Sequence, residues 1–173
     1  MNNKGNHSGL RFTSFKSALG WVALQASPAG IMKLTLPQPT EQAALAELGV
    51  SAGAVGVDKD RFSDLIARLQ DYFKGKSVDF PEDLDLSVGT AFQQKVWRSC
   101  YSIPYGQTRS YGWIARQIGN PRATRAVGQA LGRNPIPIII PCHRVLAAGS
   151  KLGGFSGGLS VKEQLLALER VEY

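Results

Sequence analysis

The sequence predicts a mixed α/β (α+β) chain: a sheet-bearing first half, then a mostly helical second half containing a helix-turn-helix. Three observations predict it. Apolar runs of strand length fall before residue 37, apolar positions beyond residue 88 recur at helical spacing, and the charge divides sharply. Residues 1–86 carry 9 Lys/Arg against 10 Asp/Glu, whereas residues 87–173 carry 11 against 3. A chain of 173 residues suffices for one good core or for two domains of about 80 to 90 residues each. The division is expected at 1–86 and 87–173.

Taken in order, the first ten or so residues are polar and are expected to fray. Trp21-Val22-Ala23-Leu24-Gln25-Ala26-Ser27 reads as a strand, Pro28-Ala29-Gly30 as a turn, and Ile31-Met32-Lys33-Leu34-Thr35-Leu36 as a second strand. Together they predict a β-hairpin. Residues 40–48 and 60–74 have helical spacing, the second with Phe62, Leu65, Ile66, Leu69 and Phe73 on one face. Residues 76–86, with Pro81 and several acids, read as a linker.

A helix is expected from Thr90, with Phe92, Val96 and Trp97 on one face and Cys100 as core filling, before a Pro104-Tyr105-Gly106 turn. Ser110 can cap a helix running from Tyr111 to a stop at Gly119. Asn120 can cap the next, with Pro121 at its first position. There Ala123, Ala126, Val127, Ala130 and Leu131 form one apolar stripe, leaving Arg122, Arg125 and Gln129 off it and Gly128 at its edge. This is the pattern of a helix-turn-helix: Gly128 permits close backbone approach and Arg125 is long enough to enter a groove.

The chemistry is concentrated in Ile138-Ile139-Ile140-Pro141-Cys142-His143-Arg144-Val145. The three isoleucines read as a short buried strand ended by the proline. A thiol attacks only as thiolate, and a neighbouring imidazole or cation favours that form, so Cys142 beside His143 and Arg144 is a candidate nucleophile. Gly149, Gly153, Gly154, Gly157 and Gly158 surround Phe155-Ser156 in a loop whose backbone must approach something closely or take positive φ. Ser160-Val161-Lys162-Glu163 reads as a capping box opening the last helix. Glu169 tilts towards that helix's apolar face, which makes it either an edge residue in water or a buried acid with a partner, for which His143 is the obvious candidate.

Composition narrows the rest. There is no apolar run of membrane-spanning length and no basic-then-apolar leader, so a soluble, cytoplasmic protein without a membrane partner is expected. Two cysteines make no disulfide framework, and two histidines, His7 and His143, are too few for the usual closed zinc site. No metal is expected. The basic second half points to a polyanion partner, bound through phosphate neutralisation.

These motifs together resemble the O6-alkylguanine-DNA alkyltransferases, also called methylated-DNA–protein-cysteine methyltransferases. The resemblance rests on Pro141-Cys142-His143-Arg144-Val145 between Asn134-Pro135 and Ser156-Gly157-Gly158. It extends through Gly89-Thr90-Ala91-Phe92-Gln93-Gln94-Lys95-Val96-Trp97, Ile103-Pro104-Tyr105-Gly106, Ser110-Tyr111 and Arg125-Ala126-Val127-Gly128. It covers residues 88–170, while residues 1–86 match in general layout. It implies a small ribonuclease-H-like α/β domain followed by a helical domain with a winged-helix-like helix-turn-helix.

The resemblance implies a monomer without cofactor that acts on double-stranded DNA carrying O6-alkylguanine, with O4-alkylthymine as a second candidate lesion. The nucleotide would flip out and its alkyl group pass irreversibly to Cys142. His143 would act as base through a water, oriented by Glu169, while Asn134 braces the segment. Tyr111 would bond guanine N3 and supply a proton. Arg125 would fill the vacated stack, on a DNA-binding surface that includes Tyr111, Gly128 and Arg122. Val145, Phe155 and Ser156 would form the base pocket, with the carbonyls of Cys142 and Val145 accepting the exocyclic amine and the Ser156 N–H meeting O6.

This chain departs from many relatives in having Phe155 where they carry tyrosine, and it lacks the amino-terminal zinc ligands of some. It keeps the cysteine that non-enzymatic relatives replace with tryptophan. Two other readings stand beside transfer. One is a protein that binds alkylated lesions without repairing them. The other is a cysteine hydrolase, for which adjacent residues of an extended segment point apart unfavourably.

Overall fold

The computed structural model describes residues 9–51 and 54–173. The expected fraying of the first residues falls on 1–8, outside the described residues. Among those described, no helix is long and apolar enough to cross a membrane.

Three antiparallel strands open the chain: β1 (Arg11–Ser17), β2 (Gly20–Ser27) and β3 (Gly30–Leu34), in the order β1-β2-β3. The predicted hairpin is β2–β3, pairing Leu24 with Leu34 and Ser27 with Gly30. The sequence reading missed β1, which pairs Phe15 with Val22 and Phe12 with Gln25. Buried and exposed positions of β1 do not alternate cleanly, so its period of two is obscured. β2 is covered on both sides. Ala23 joins Phe12, Ala44 and Leu48 in a small cluster, whereas Val22, Leu24 and Ala26 enter the main core. A central strand buried on both faces reads as one apolar run.

Two helices complete this half: α1 (Glu41–Glu47), capped by Thr40, and α2 (Ser63–Phe73). Leu65, Leu69 and Phe73 of α2 are buried as predicted, and so is Tyr72. The expected linker is no loose tether. Phe80 and Leu86 are buried, and the segment lies along β3 through Ile31 N–H to Asp83 O (2.8 Å) and Asp85 N–H to Ile31 O (2.8 Å). A glycine is needed opposite it: Gly30 has φ +144°, and a Cβ there would stand 2.3 Å from the Asp83 carbonyl oxygen.

In the second half, α3 (Ala91–Tyr101) begins where expected, and Thr90 caps it in a reciprocal box with Gln93 that the sequence reading missed. Strand β4 (Arg109–Ser110) runs directly into α4 (Tyr111–Gln117), where the Ser110 hydroxyl accepts from Trp113 N–H as expected. α5 (Thr124–Leu131) follows and packs on α3 and α4. The Trp97 indole N–H donates to the Ala130 carbonyl at 2.8 Å, pinning α3 to α5.

Two expectations about α5 are corrected. Asn120 does not cap it with its side chain, and Pro121 and Arg122 lie in a turn closed by Ala123 N–H to Asn120 O; the helix starts at Thr124. The stripe is also narrower than its spacing suggested. Val127, Ala130 and Leu131 are buried, Ala123 partly, and Ala126 is exposed, because one face of a two-turn helix meets the core.

The predicted 138–140 strand does not form. Residues 136–140 fold into a buried turn closed by Ile140 N–H to Ile136 O (2.9 Å), with Ile138 at φ +75°. The isoleucine run reported burial, about 1.5–3 kcal/mol per side chain, rather than extension. Pro141 leads into a single 3₁₀ turn, Cys142–Arg144, then β5 (Val145–Leu146), which pairs in parallel with β4. This pairing sets Tyr111, at the head of α4, near the cysteine turn.

The last helix, α6 (Leu159–Leu168), begins before the expected capping box. Gly158 stands at its cap with no side-chain hydrogen bond. Ser160 is already helical, and Lys162 turns inward to a buried task.

Candidate active site

Asn134 fixes the segment that carries the cysteine. Its Oδ1 accepts from Ile136 N–H at 3.0 Å, and its Nδ2 donates to the Ile140 carbonyl at 2.8 Å and lies 3.2 Å from Cys142 Sγ. Cys142 is only 6% exposed. Burial pushes its thiol up from the ordinary range, against the Asn134 hydrogen bond, the Lys162 charge and the N–H groups of Cys142 and His143. The resting sulfur is therefore a thiol.

Behind it stands a buried polar cluster. His143 Nε2 is 2.6 Å from Glu169 Oε1, the partnership expected from the sequence. Glu169, at the carboxyl end of α6, also accepts from Arg144 Nε (2.8 Å), Arg144 Nη2 (3.0 Å) and Gly106 N–H (3.1 Å). Burial alone would raise its carboxyl. The His143 hydrogen bond and then Arg144 outweigh burial and hold it down at about 2. Burial lowers His143, so the imidazole is neutral at neutral pH. Its Nδ1 is buried and has no hydrogen-bond partner among the described residues.

Arg144 corrects one expectation. Its place beside Cys142 predicts a cation favouring the thiolate, yet its guanidinium is held by Glu169 and by the Ile103 carbonyl at 2.6 Å. The cation that lowers the thiol is Lys162. Its Nζ donates to the carbonyls of Val145 (2.6 Å), Leu152 and Gly154 (3.4 Å). Burial brings it down to about 8.

Sequence reasoning missed two members of this site, Lys162 and Tyr72. A signal for Lys162 existed: Lys162, Leu165, Leu166 and Glu169 share one helical face, so two charged residues occupy the buried stripe. Tyr72 shares a face with Leu65 and Leu69, but nothing in the sequence links it to residue 143. Its hydroxyl lies 2.8 Å from Glu169 Oε1 and 3.2 Å from His143 Nε2.

In front of Cys142 opens a cleft of about 520 Å³, lined among others by Tyr111, Arg125, Gly128, Phe155 and Ser156. The Tyr111 hydroxyl donates to the Gly154 carbonyl at 3.2 Å, and burial raises its ionisation. The glycine loop behaves as predicted at Gly153, where φ is +69° and a Cβ would stand 3.0 Å from the Tyr111 ring. Arg122 is exposed outside the cleft lining, and Val145 is buried behind it with its carbonyl on Lys162. Thus Cys142, Tyr111, Arg125, Gly128, Phe155 and Ser156 share the cleft, while His143 and Glu169 back it and Asn134 flanks the sulfur.

Residues 10–86 match the family described as 6-O-methylguanine DNA methyltransferase, ribonuclease-like domain, and residues 91–171 match its DNA binding domain. A methylated-DNA–protein-cysteine methyltransferase of Methanosarcina acetivorans is 40% identical over 161 residues, covering 92% of this chain and 98% of that protein. Its counterpart in Mycobacterium tuberculosis is 54% identical over 113 residues, 65% of this chain and 68% of its own. The crystal structure of Mycobacterium tuberculosis OGT in complex with DNA superposes with a TM-score of 0.77 at 42% identity, covering 92% of each chain. With its nearly buried cysteine, its histidine–glutamate pair and a two-part match running from residue 10 to 171, the chain belongs to the methylated-DNA–protein-cysteine methyltransferase family.

Proposed function

We propose that the protein repairs duplex DNA by taking the alkyl group from O6 of guanine onto its own Cys142, once per molecule. The observation that carries the reading is the position of the thiol: it faces a cleft bordered by Arg125 and Gly128 of α5, with a neutral imidazole and an ionised carboxylate behind it. Residues 1–86 and 87–173 act as two domains of one monomer, with the DNA surface on the basic second domain.

A stacked base cannot reach the sulfur, so the damaged nucleotide rotates out, at a cost of a few kcal/mol by order of magnitude. Arg125 enters the space it leaves. Arg122 contacts the backbone, and Gly128 lets α5 come close. Phosphate contacts make binding largely independent of sequence and sensitive to salt.

In the cleft the base lies against Phe155, with its O6 towards the Ser156 N–H and its exocyclic amine towards the Cys142 carbonyl and the lone pair of the Val145 carbonyl that Lys162 leaves free. The thiol proton passes through a water to Nδ1 of His143, while Glu169 holds Nε2. Sγ then attacks the carbon on O6 in line; the S–C bond forms as the C–O6 bond breaks, and its electron pair goes to the guanine. Tyr111 exchanges its bond to Gly154 for guanine N3 and gives it a proton. Positioned proton transfer of this kind contributes ~10²–10⁴ in rate. His143 and Tyr111 regain their starting states by exchange with solvent, but the thioether persists.

The test is peptide mass analysis after incubation with duplex DNA containing O6-methylguanine. A methyl group on the peptide bearing Cys142, with unmodified guanine left in the DNA, supports the reading. Tight binding with an unmodified peptide supports lesion binding without transfer instead, and steady turnover of an ester would revive the hydrolase.

A further inference from the structure

Tyr72 reaches the active-site cluster from α2, in the half of the chain that carries none of the catalytic motifs. Its side chain is fully buried and packs edge-on against Phe73, Phe80, Tyr105 and the His143 ring. Glu169 Oε1, which accepts its hydroxyl at 2.8 Å, also accepts from His143 Nε2 at 2.6 Å and Arg144 Nη2 at 3.0 Å. Oε2 receives Arg144 Nε and Gly106 N–H. A carboxylate offers about four lone-pair sites, so these donors saturate it. Each donor to the ionised form weakens the pull of the oxygens on a further proton, and Tyr72 competes with His143 for the same oxygen.

We propose that Tyr72 is a positioning residue of the proton relay. Its O–H occupies Glu169 Oε1 and its oxygen lone pair faces His143 Nε2–H. The proton thereby stays on Nε2, Nδ1 stays free to accept, and the carboxylate does not draw the imidazole into a standing cation. The inference rests on the alkyl-transfer reading above and deepens it: the amino-terminal half acts on proton transfer without touching DNA.

The surrounding groups are consistent with this role. Burial pushes Tyr72 far up, with the Glu169 charge adding to it, so the hydroxyl remains a donor throughout the working range. The ionisable groups around the imidazole are Glu169 and Lys162 from α6, Arg144 from its own turn, and Tyr72 from α2. Tyr105 stands behind Tyr72 and Arg144. Of these, Glu169 favours the imidazolium, and Tyr72 moderates Glu169.

The test uses the full chain with ¹⁵N-labelled imidazole, where only His7 and His143 give signals. The unaltered protein should show His143 protonated at Nε2 and bare at Nδ1. Tyr72→Phe should raise the pH at which His143 titrates by about one unit, and raise the acid limb of the single-turnover methyl-transfer profile with it. Tyr72→3-fluorotyrosine keeps the packing and makes a stronger donor, so both should move down. Should the phenylalanine protein fail to fold, the fluorotyrosine protein decides alone. Unchanged titration, or a shift in the same direction for both variants, overturns the proposal. Methylation of Cys142 is measured in the same samples; its absence from the unaltered protein would sink the alkyl-transfer reading, while the imidazole titration still judges Tyr72.

Discussion

Asn134 Nδ2 lies 3.2 Å from Cys142 Sγ and at the same time holds the Ile140 carbonyl at 2.8 Å. One amide thus steadies the sulfur and closes the turn that presents it. Asn134→Ala should slow transfer by roughly 10- to 100-fold and cost about 1–3 kcal/mol of stability, since the Ile140 carbonyl and Ile136 N–H lose their partner. Single-turnover kinetics and urea unfolding measure the two effects; an unchanged rate would remove Asn134 from the reaction.

Glu169 sets an acid limit on stability. Its carboxyl is held at about 2 against an ordinary 4.5, so between those values the unfolded chain binds the extra proton. The stabilisation is complete above about pH 4.5 and disappears as the pH falls towards 2, amounting to about 3 kcal/mol. His143, lowered by burial, adds a loss in the same direction as the pH drops below its ordinary 6.5. Urea midpoints between pH 7 and 3 should fall, and Glu169→Gln should flatten the lower part of that decline.

Lys162 joins three carbonyls and lies near the thiol. Lys162→Met should cost on the order of 3 kcal/mol, because buried carbonyls are left without a donor. It should also raise the thiol further and slow alkylation of Cys142 by iodoacetamide at fixed pH. Hydrogen exchange should speed up across residues 147–158, which include two of the three carbonyls; unaltered exchange there would contradict the anchoring role.

Arg125 borders the cleft and is exposed. Arg125→Ala should reduce transfer from duplex DNA by more than tenfold, yet leave reaction with free O6-benzylguanine within about threefold, since a free base needs no unstacking. Equal losses with both substrates would contradict a role in flipping.

Gly153→Ala should strain the loop at φ +69° and push on the Tyr111 ring, at a cost of roughly 1–3 kcal/mol. Transfer should slow while binding of undamaged duplex stays the same. An unchanged rate would mean that the ring has room to shift.

Much of the site was legible from residue types. Cys142, His143, Arg144 and Val145 are contiguous, and Ser110 caps α4 as its side chain predicts. A carboxylate tilted towards an apolar helix face left Glu169 either at a wet edge or buried on His143, and the fold chose the second. The misread elements turn on backbone hydrogen bonding that residue type alone does not settle. Residues 138–140, the start of α5 and the start of α6 each depend on which partners the backbone groups find, and at α5 a local turn, Ala123 N–H to Asn120 O, takes the place of the expected cap. Asn134 closes the isoleucine turn, and Lys162 gathers the carbonyls of the loop before α6.

By itself the amino-acid sequence determined the mixed α/β class, the order of most elements, the candidate nucleophile Cys142 with the histidine beside it, and the basic character of the second half. These are properties of local pattern and composition. Tertiary structure alone decided that Lys162, rather than Arg144, favours the thiolate, and that Tyr72 meets His143 across 71 positions of chain. Hydrogen bonds and charge act over a few ångströms in space, and only the folded core brings such distant groups within that range.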